Sequence, residues 1–79
     1  MNVRCFGIAR DIVDADHINI QKGEMIKTVD DLREWIKSQY PAMNKLKSFM
    51  IAVNQEYAEG DQRLINNDEI AIIPPVSGG

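Results

Sequence analysis

The fold of this chain is decided by residues 28–41, which read TVDDLREWIKSQYP. Thr28 followed by Asp31 is typical of a capping box, in which a hydroxyl and a carboxylate accept hydrogen bonds from each other's backbone amides at the start of a helix. Pro41 disfavours the helical conformation for the residue before it and so ends the helix. The apolar residues between these signals recur at helical spacing and predict an amphipathic helix that covers a sheet: Val29, Leu32, Ile36 and Tyr40.

Segments with the alternation of β-strands flank this helix on both sides. Residues 2–8 and 17–21 precede it and predict a hairpin, while residues 49–53, a short return strand at Tyr57 and residues 69–73 follow it. The order predicts an α+β domain, with a mixed sheet of about five strands packed on one main helix, and it resembles the β-grasp fold of ubiquitin. The residues expected on the buried face of the sheet are Val3, Cys5, Phe49, Ile51, Val53, Ile70 and Ile72.

Size and charge narrow the classes of function. A chain of 79 residues has room for one domain with a small core, which favours a carrier or binding module over a self-sufficient enzyme. A net charge of -3 with dispersed Lys and Arg residues argues against nucleic acid as a partner. No leader-like or long apolar stretch occurs, so we expect a cytoplasmic protein that makes no contact with a membrane.

Cysteine and histidine, which often act as nucleophiles, bases or metal ligands, occur once each in this chain. Cys5 is the single cysteine, and its place on the buried face of a strand predicts a small core residue rather than a sulfur source. His17 has no partner at the spacing of metal ligands or of a catalytic triad, so we expect a surface histidine.

The last six residues, PPVSGG, differ in composition from the rest and divide the chain into a domain, 1–73, and an extended tail, 74–79. The two prolines stop the last strand and favour an extended path. At roughly 3.3 Å per residue, such a tail reaches on the order of 20 Å. The two glycines have no side chains, so the end of the chain can enter a narrow channel, where its carboxylate can be activated as an acyl adenylate. The alternative is a frayed end or a cloning remnant without function.

Four segments are similar to the small subunit of molybdopterin synthase: FGIARD at 6–11, AVNQEY at 52–57, NDEIA at 67–71 and IPPVSGG at 73–79. The tail is the specific part of this resemblance, because thiamine-pathway sulfur carriers usually lack the paired prolines. The resemblance implies that an adenylyltransferase of the ubiquitin-activating type uses ATP to adenylate the carboxylate of Gly79. A sulfur donor then converts the adenylate to a thiocarboxylate.

The same resemblance implies a partner and a division of labour. It places the tail inside the large subunit of the synthase, with Gly79 donating sulfur to cyclic pyranopterin monophosphate in molybdenum cofactor biosynthesis. It further implies a heterotetramer with two copies of each subunit, catalytic groups on the large subunit and no cofactor bound by the isolated domain. Gly78 is expected to act with Gly79 at the reacting end of the chain, and Pro74 and Pro75 to shape delivery of the sulfur. The tail residues expected to bind the partner are Pro74, Pro75, Val76 and Ser77.

Three outward-facing apolar residues, Phe6, Tyr57 and Ile73, are predicted to form a docking patch for the partners. The alternative is a scatter of ordinary exposed apolar side chains. Arg10 is a candidate to pair with an acidic group of a partner, or else a solvated surface charge. Gly7 departs from the family, which often has a larger residue at this position.

Three other functions compete with the synthase subunit. One is a ubiquitin-like modifier that is conjugated to lysines through Gly79, and another is a sulfur carrier of the thiamine type. The third is a plain interaction domain whose tail does nothing.

Overall fold

The computed structural model describes residues 1–21, 25–46, 48–65 and 67–74. Within these residues the chain forms five strands, two α-helices and one short 3-10 helix. In chain order these are β1 (Asn2–Cys5), α1 (Gly7–Val13), β2 (His17–Asn19), α2 (Val29–Gln39), the 3-10 helix (Pro41–Lys45), β3 (Met50–Val53), β4 (Glu56–Tyr57) and β5 (Ile70–Ile73).

The strands form one sheet in the order β2-β1-β5-β3-β4, which confirms the predicted mixed sheet of five strands. β1 and β5 run parallel at the centre, with Cys5 opposite Ile72. The other neighbouring pairs are antiparallel. The first and last strands of the chain are therefore adjacent, and their carboxyl ends point in the same direction.

One face of the sheet packs against α2 and forms the core. Leu32 and Ile36 of the helix are fully buried, as are Ile51 and Ile72 of the sheet. Every residue that the alternation placed on the inner face is buried. The buried residues of α2, which are Val29, Leu32 and Ile36, all belong to this core.

The capping box predicted from the sequence begins α2. The hydroxyl of Thr28 accepts a hydrogen bond from the Asp31 amide at 3.2 Å, and a carboxylate oxygen of Asp31 accepts one from the Thr28 amide at 3.1 Å. The Lys27 amide also donates to this carboxylate, at 3.0 Å, and these backbone donors lower the pKa of Asp31 because they favour its charged form. At the other end, Tyr40 leaves the helical conformation before Pro41, as predicted.

The predicted strand over residues 2–8 is wrong in its second half, where α1 begins at Gly7. The predicted antiparallel pairing of the first two strands is confirmed, but the segment that connects them contains α1, which was not predicted. No side chain caps the start of this helix, and no acidic residue lies in its first turn, so the usual signals of a helix start are missing. Burial of Ala9 and packing of Ile12 and Val13 on the core stabilise it instead.

The hairpin between β3 and β4 is confirmed. Asn54 and Gln55 have φ angles of 53° and 71°, which is the backbone of the tight turn that suits the twist of a hairpin. The side chain of Asn54 ties this turn to the start of β5, because it accepts a hydrogen bond from the Glu69 amide at 3.0 Å.

Within the described ranges, neither α-helix is long and apolar enough to cross a lipid bilayer.

Candidate functional site

The outer face of the sheet carries a row of residues that runs across four strands. Arg4 of β1 is opposite Ala71 of β5, Ala71 is opposite Ala52 of β3, and Ala52 is opposite Tyr57 of β4. Residues that are directly paired project from the same face of a sheet, so this row faces away from α2. A second pair, Met50 and Ile73, lies beside it.

The short alanine side chains at the middle of this row leave a groove of about 400 Å³ between longer side chains on either side. Arg4 and Phe6 bound it at β1, and Tyr57 and Gln55 bound it at β4. The complete lining is Arg4, Phe6, Ala52, Gln55, Tyr57, Glu69, Ala71 and Ile73.

The groove combines exposed apolar surface with a few polar groups. Tyr57 is 67% exposed and Phe6 is 42% exposed, which is unusual for aromatic side chains without a partner. The guanidinium of Arg4 lies 5.2 Å from the centre of the Phe6 ring, at the distance of a cation–π contact. On the far side, the Gln55 amide nitrogen lies 3.4 Å from a carboxylate oxygen of Glu69. An apolar floor with a polar rim is the arrangement typical of protein–protein interfaces.

The groove lies at the end of the sheet from which the tail departs. Ile73 is the last residue of β5 and lines the groove, and Pro74 follows it directly. Phe6 follows the last residue of the parallel strand β1, so it lies at the same end. Three of the residues predicted for docking, Phe6, Tyr57 and Ile73, are therefore brought together on one surface that adjoins the start of the tail.

The remaining residues predicted for the tail site lie outside the described residues. They are Pro75, Val76, Ser77, Gly78 and Gly79.

Arg10 is not part of the groove. It lies on α1, where its Nε is 2.9 Å from a carboxylate oxygen of Asp16, and both side chains are exposed. Asp11 and Asp14 line the same shallow depression. The structure thus gives Arg10 an acidic partner within its own chain.

Cys5 is buried against the core, as predicted. Burial raises the pKa of the Cys5 thiol, and the nearby negative charge of Asp16 adds to this effect. A buried thiol with a raised pKa is a poor nucleophile. His17 is exposed on β2, and no three His, Cys, Asp or Glu side chains in the described residues lie close enough to hold a metal ion.

Several groove residues were missed by the sequence reasoning, namely Arg4, Ala52, Gln55, Glu69 and Ala71. The alternation that placed Phe6 on the outer face placed Arg4 there as well, so this signal was present. The two alanines carry no such signal. A small residue on an exposed face lies in a groove only if neighbouring strands place larger side chains beside it, and those strands are distant in sequence.

Comparison with known proteins agrees with the fold. The model of the ThiS family matches residues 3–79. The molybdopterin synthase sulfur carrier subunit of Dictyostelium discoideum is 40% identical over 77 residues, which cover 94% of this chain and 90% of the relative.

Solved structures show the same architecture. The putative molybdopterin converting factor, subunit 1, from Pyrococcus furiosus is 27% identical with a TM-score of 0.80, covering 95% of each chain. A similar chain occurs in the protein–protein complex of subunits 1 and 2 of molybdopterin-converting factor from Helicobacter pylori. Its TM-score is 0.65 at 24% identity, and the match covers 99% of this chain and 96% of that chain. At this level of identity, the similarity supports only the fold. These structural similarities confirm the predicted β-grasp fold. Because the family model and the relative from Dictyostelium discoideum both match nearly the whole length of this chain, the chain belongs to the ThiS family.

Proposed function

We propose that this chain is the sulfur carrier subunit of a molybdopterin synthase, with the carboxylate of Gly79 as the group that carries sulfur. The relative from Dictyostelium discoideum bears that name, and the family match extends to Gly79 itself. The partners are a large synthase subunit and an adenylyltransferase of the ubiquitin-activating type. The assembly with the large subunit is a heterotetramer in the cytoplasm.

The observation that carries this proposal is the position of the apolar groove beside the departure point of the tail. Ile73 lines the groove and is separated from Pro74 by a single peptide bond. A partner that covers the groove is therefore placed where it can also receive residues 74–79. A carrier needs this arrangement, because docking of the domain and delivery of the chain end must occur on the same partner.

The chemistry at Gly79 begins with activation of a poor electrophile. A carboxylate oxygen attacks the α-phosphorus of ATP, pyrophosphate leaves, and the product is an acyl adenylate. A sulfur donor then displaces AMP from the acyl carbon, so that the terminal group becomes a thiocarboxylate. The sulfur atom then bonds to cyclic pyranopterin monophosphate, and water cleaves the bond between the acyl carbon and sulfur, which returns Gly79 to a carboxylate.

The domain supplies binding surface, and the partners supply catalysis. The charged residues that line the groove are Arg4 and Glu69, and both lie at its rim rather than around a buried reaction centre. ATP enters with the activating enzyme, and the acids and bases of sulfur transfer reside on the large subunit. Pro74, Pro75, Val76, Ser77 and Gly78 serve as the spacer between the docked domain and the reacting carboxylate.

Intact mass spectrometry tests the proposal. The protein is incubated with the adenylyltransferase, ATP and a sulfur donor, and the expected result is exchange of one terminal oxygen for sulfur. A variant extended by one alanine after Gly79 is the control and should gain no sulfur. Adducts on lysines of other proteins would identify a modifier instead, and an unchanged mass would identify an inert tail.

A further inference from the structure

Gly7 lies at the point where β1 gives way to α1, next to the departure point of the tail. Its φ angle is +54°, in the left-handed region that glycine adopts most readily. The parallel register sets Cys5 opposite Ile72, so the residues that follow each of them leave the sheet at the same end. This brings the turn at Gly7 against the first residue of the tail.

The ring of Pro74 occupies the space that a side chain at position 7 would need. A β-carbon at this position would lie 3.1 Å from Cγ of Pro74 and 3.9 Å from its Cδ. The first distance is closer than carbon atoms normally pack, so one of the two groups would have to move. A proline ring is closed on its own backbone, so it cannot rotate away as a flexible side chain would without moving the main chain.

We propose that Gly7 is a positioning residue for sulfur transfer: its bare Cα forms a seat for the ring of Pro74 and so sets the direction of the backbone at Pro74, from which the chain continues toward Gly79. This inference rests on the proposed function. Because the ring of Pro74 fixes its own φ angle, the orientation of the ring in the seat also fixes the orientation of the backbone. The seat thus couples the end of β1 to the path of the tail.

The direction of the tail matters because the partner holds the domain by its groove while the tail enters the active site. A small rotation of the backbone at residue 74 becomes a larger displacement at Gly79, which is five residues further along the chain. Displacement of a reacting group by about 1 Å can lower a rate by about a hundredfold. Tyr57 lies on the edge strand β4, away from the seat, so we expect a change at Gly7 to affect binding less than positioning.

The seat is tested first by NMR in the protein alone. The wild-type protein should show a nuclear Overhauser effect between the α-protons of Gly7 and the ring protons of Pro74. This effect should be lost or altered in Gly7→Ala, and also in Gly7→Asn, in which asparagine tolerates the left-handed backbone but still brings a β-carbon. Its absence from the wild-type protein would overturn the proposal, whether or not the variants fold.

The kinetic test uses thiocarboxylated protein prepared by sulfide cleavage of an intein fusion, which bypasses the activating enzyme. With the large subunit and cyclic pyranopterin monophosphate, Gly7→Ala should lower kcat about tenfold and change KM less than about twofold. Replacing Pro74 by alanine removes the ring, so Gly7→Ala should cost less in the Pro74→Ala background than in the wild type. Equal losses in both backgrounds, or an unchanged kcat, would contradict a seat.

Gly60→Ala is the matched control for general destabilisation. A β-carbon at Gly60 would collide with the carboxylate of Asp30, and neither residue lines the groove, so this variant strains the fold at a different site from Gly7 and Pro74. Its kcat should stay at the wild-type value. If thiocarboxylated wild-type protein transfers no sulfur, the proposed function fails, and the NMR contact still decides whether Gly7 seats Pro74.

Discussion

At the scale of single residues, the groove depends on small side chains that lie between large ones. Ala52 and Ala71 leave the floor of the groove open, and Tyr57 forms its wall. Tyrosine at the centre of an interface often contributes a large part of the binding energy, because its ring buries apolar area with little loss of side-chain entropy. Tyr57 is exposed and makes little contact with the core, so its effect on binding is separable from its effect on folding.

Replacing Tyr57 by alanine should weaken binding to the large subunit by about 2 kcal/mol, or about thirtyfold in Kd, with little change in Tm. Isothermal titration calorimetry and thermal unfolding measure the two quantities. Ile65→Ala is the matched control, because Ile65 is 68% exposed and does not line the groove. Equal losses of affinity in both variants would contradict a docking role for the groove.

The buried thiol of Cys5 predicts how the stability of the protein depends on pH. Burial raises the pKa of its thiol in the folded protein above the ordinary value that the thiol has in the unfolded chain. The protonated thiol therefore contributes stability that is fully present below that unfolded value and is lost as the pH rises through the higher folded pKa. Urea unfolding from neutral to alkaline pH should show a steeper loss for the wild type than for Cys5→Ala. Parallel curves would show that Cys5 does not titrate in this way.

At the scale of elements, the two α-helices differ in how much of their stability is local. α2 begins with a reciprocal pair of hydrogen bonds between Thr28 and Asp31, and its apolar stripe is regular, so it was predictable in position and length. α1 has 7 residues and no side-chain cap, and Gly7 and Asp11 are poor helix formers. Ala9, Ile12 and Val13 do have helical spacing, but a signal so short cannot be distinguished from a strand without the sheet beneath it.

Replacing Thr28 by alanine should lower the free energy of unfolding by about 1 kcal/mol, because the Asp31 amide loses its acceptor at the start of α2. Thr28→Ser keeps the hydroxyl and should retain most of that stability. Urea denaturation of the two variants measures the difference. The same loss in both would mean that the β-methyl group of Thr28, rather than the cap, stabilises the helix.

At the scale of the whole molecule, the residues that the structure describes form a buried core on one face of the sheet and a groove on the other. The groove is built from strands that meet only in the folded sheet. Alternation within each strand was enough to predict the outward position of Phe6, Tyr57 and Ile73. Their proximity depends on the strand order, which follows from packing between distant segments, and Arg10 lies elsewhere because the chain turns into α1 after β1.

Deletion of Gly79 should abolish sulfur transfer while leaving the fold and the affinity for the large subunit within about twofold of the wild type, since the core and the groove that the structure describes are built from earlier residues. Circular dichroism, calorimetry and formation of molybdopterin measure these three properties. Retained sulfur transfer after the deletion would show that another group carries the sulfur.

The central place of β5 also determines how the domain bears tension. Its neighbours β1 and β3 hold it by hydrogen bonds along both edges, and the chain beyond Ile73 continues from its end. A force applied to that end along the strand shears the hydrogen bonds that join β5 to β1 and to β3. These hydrogen bonds would have to break together, because a force in this direction does not open them one after another. The sheet should therefore resist unfolding under a force applied to the carboxyl end of β5.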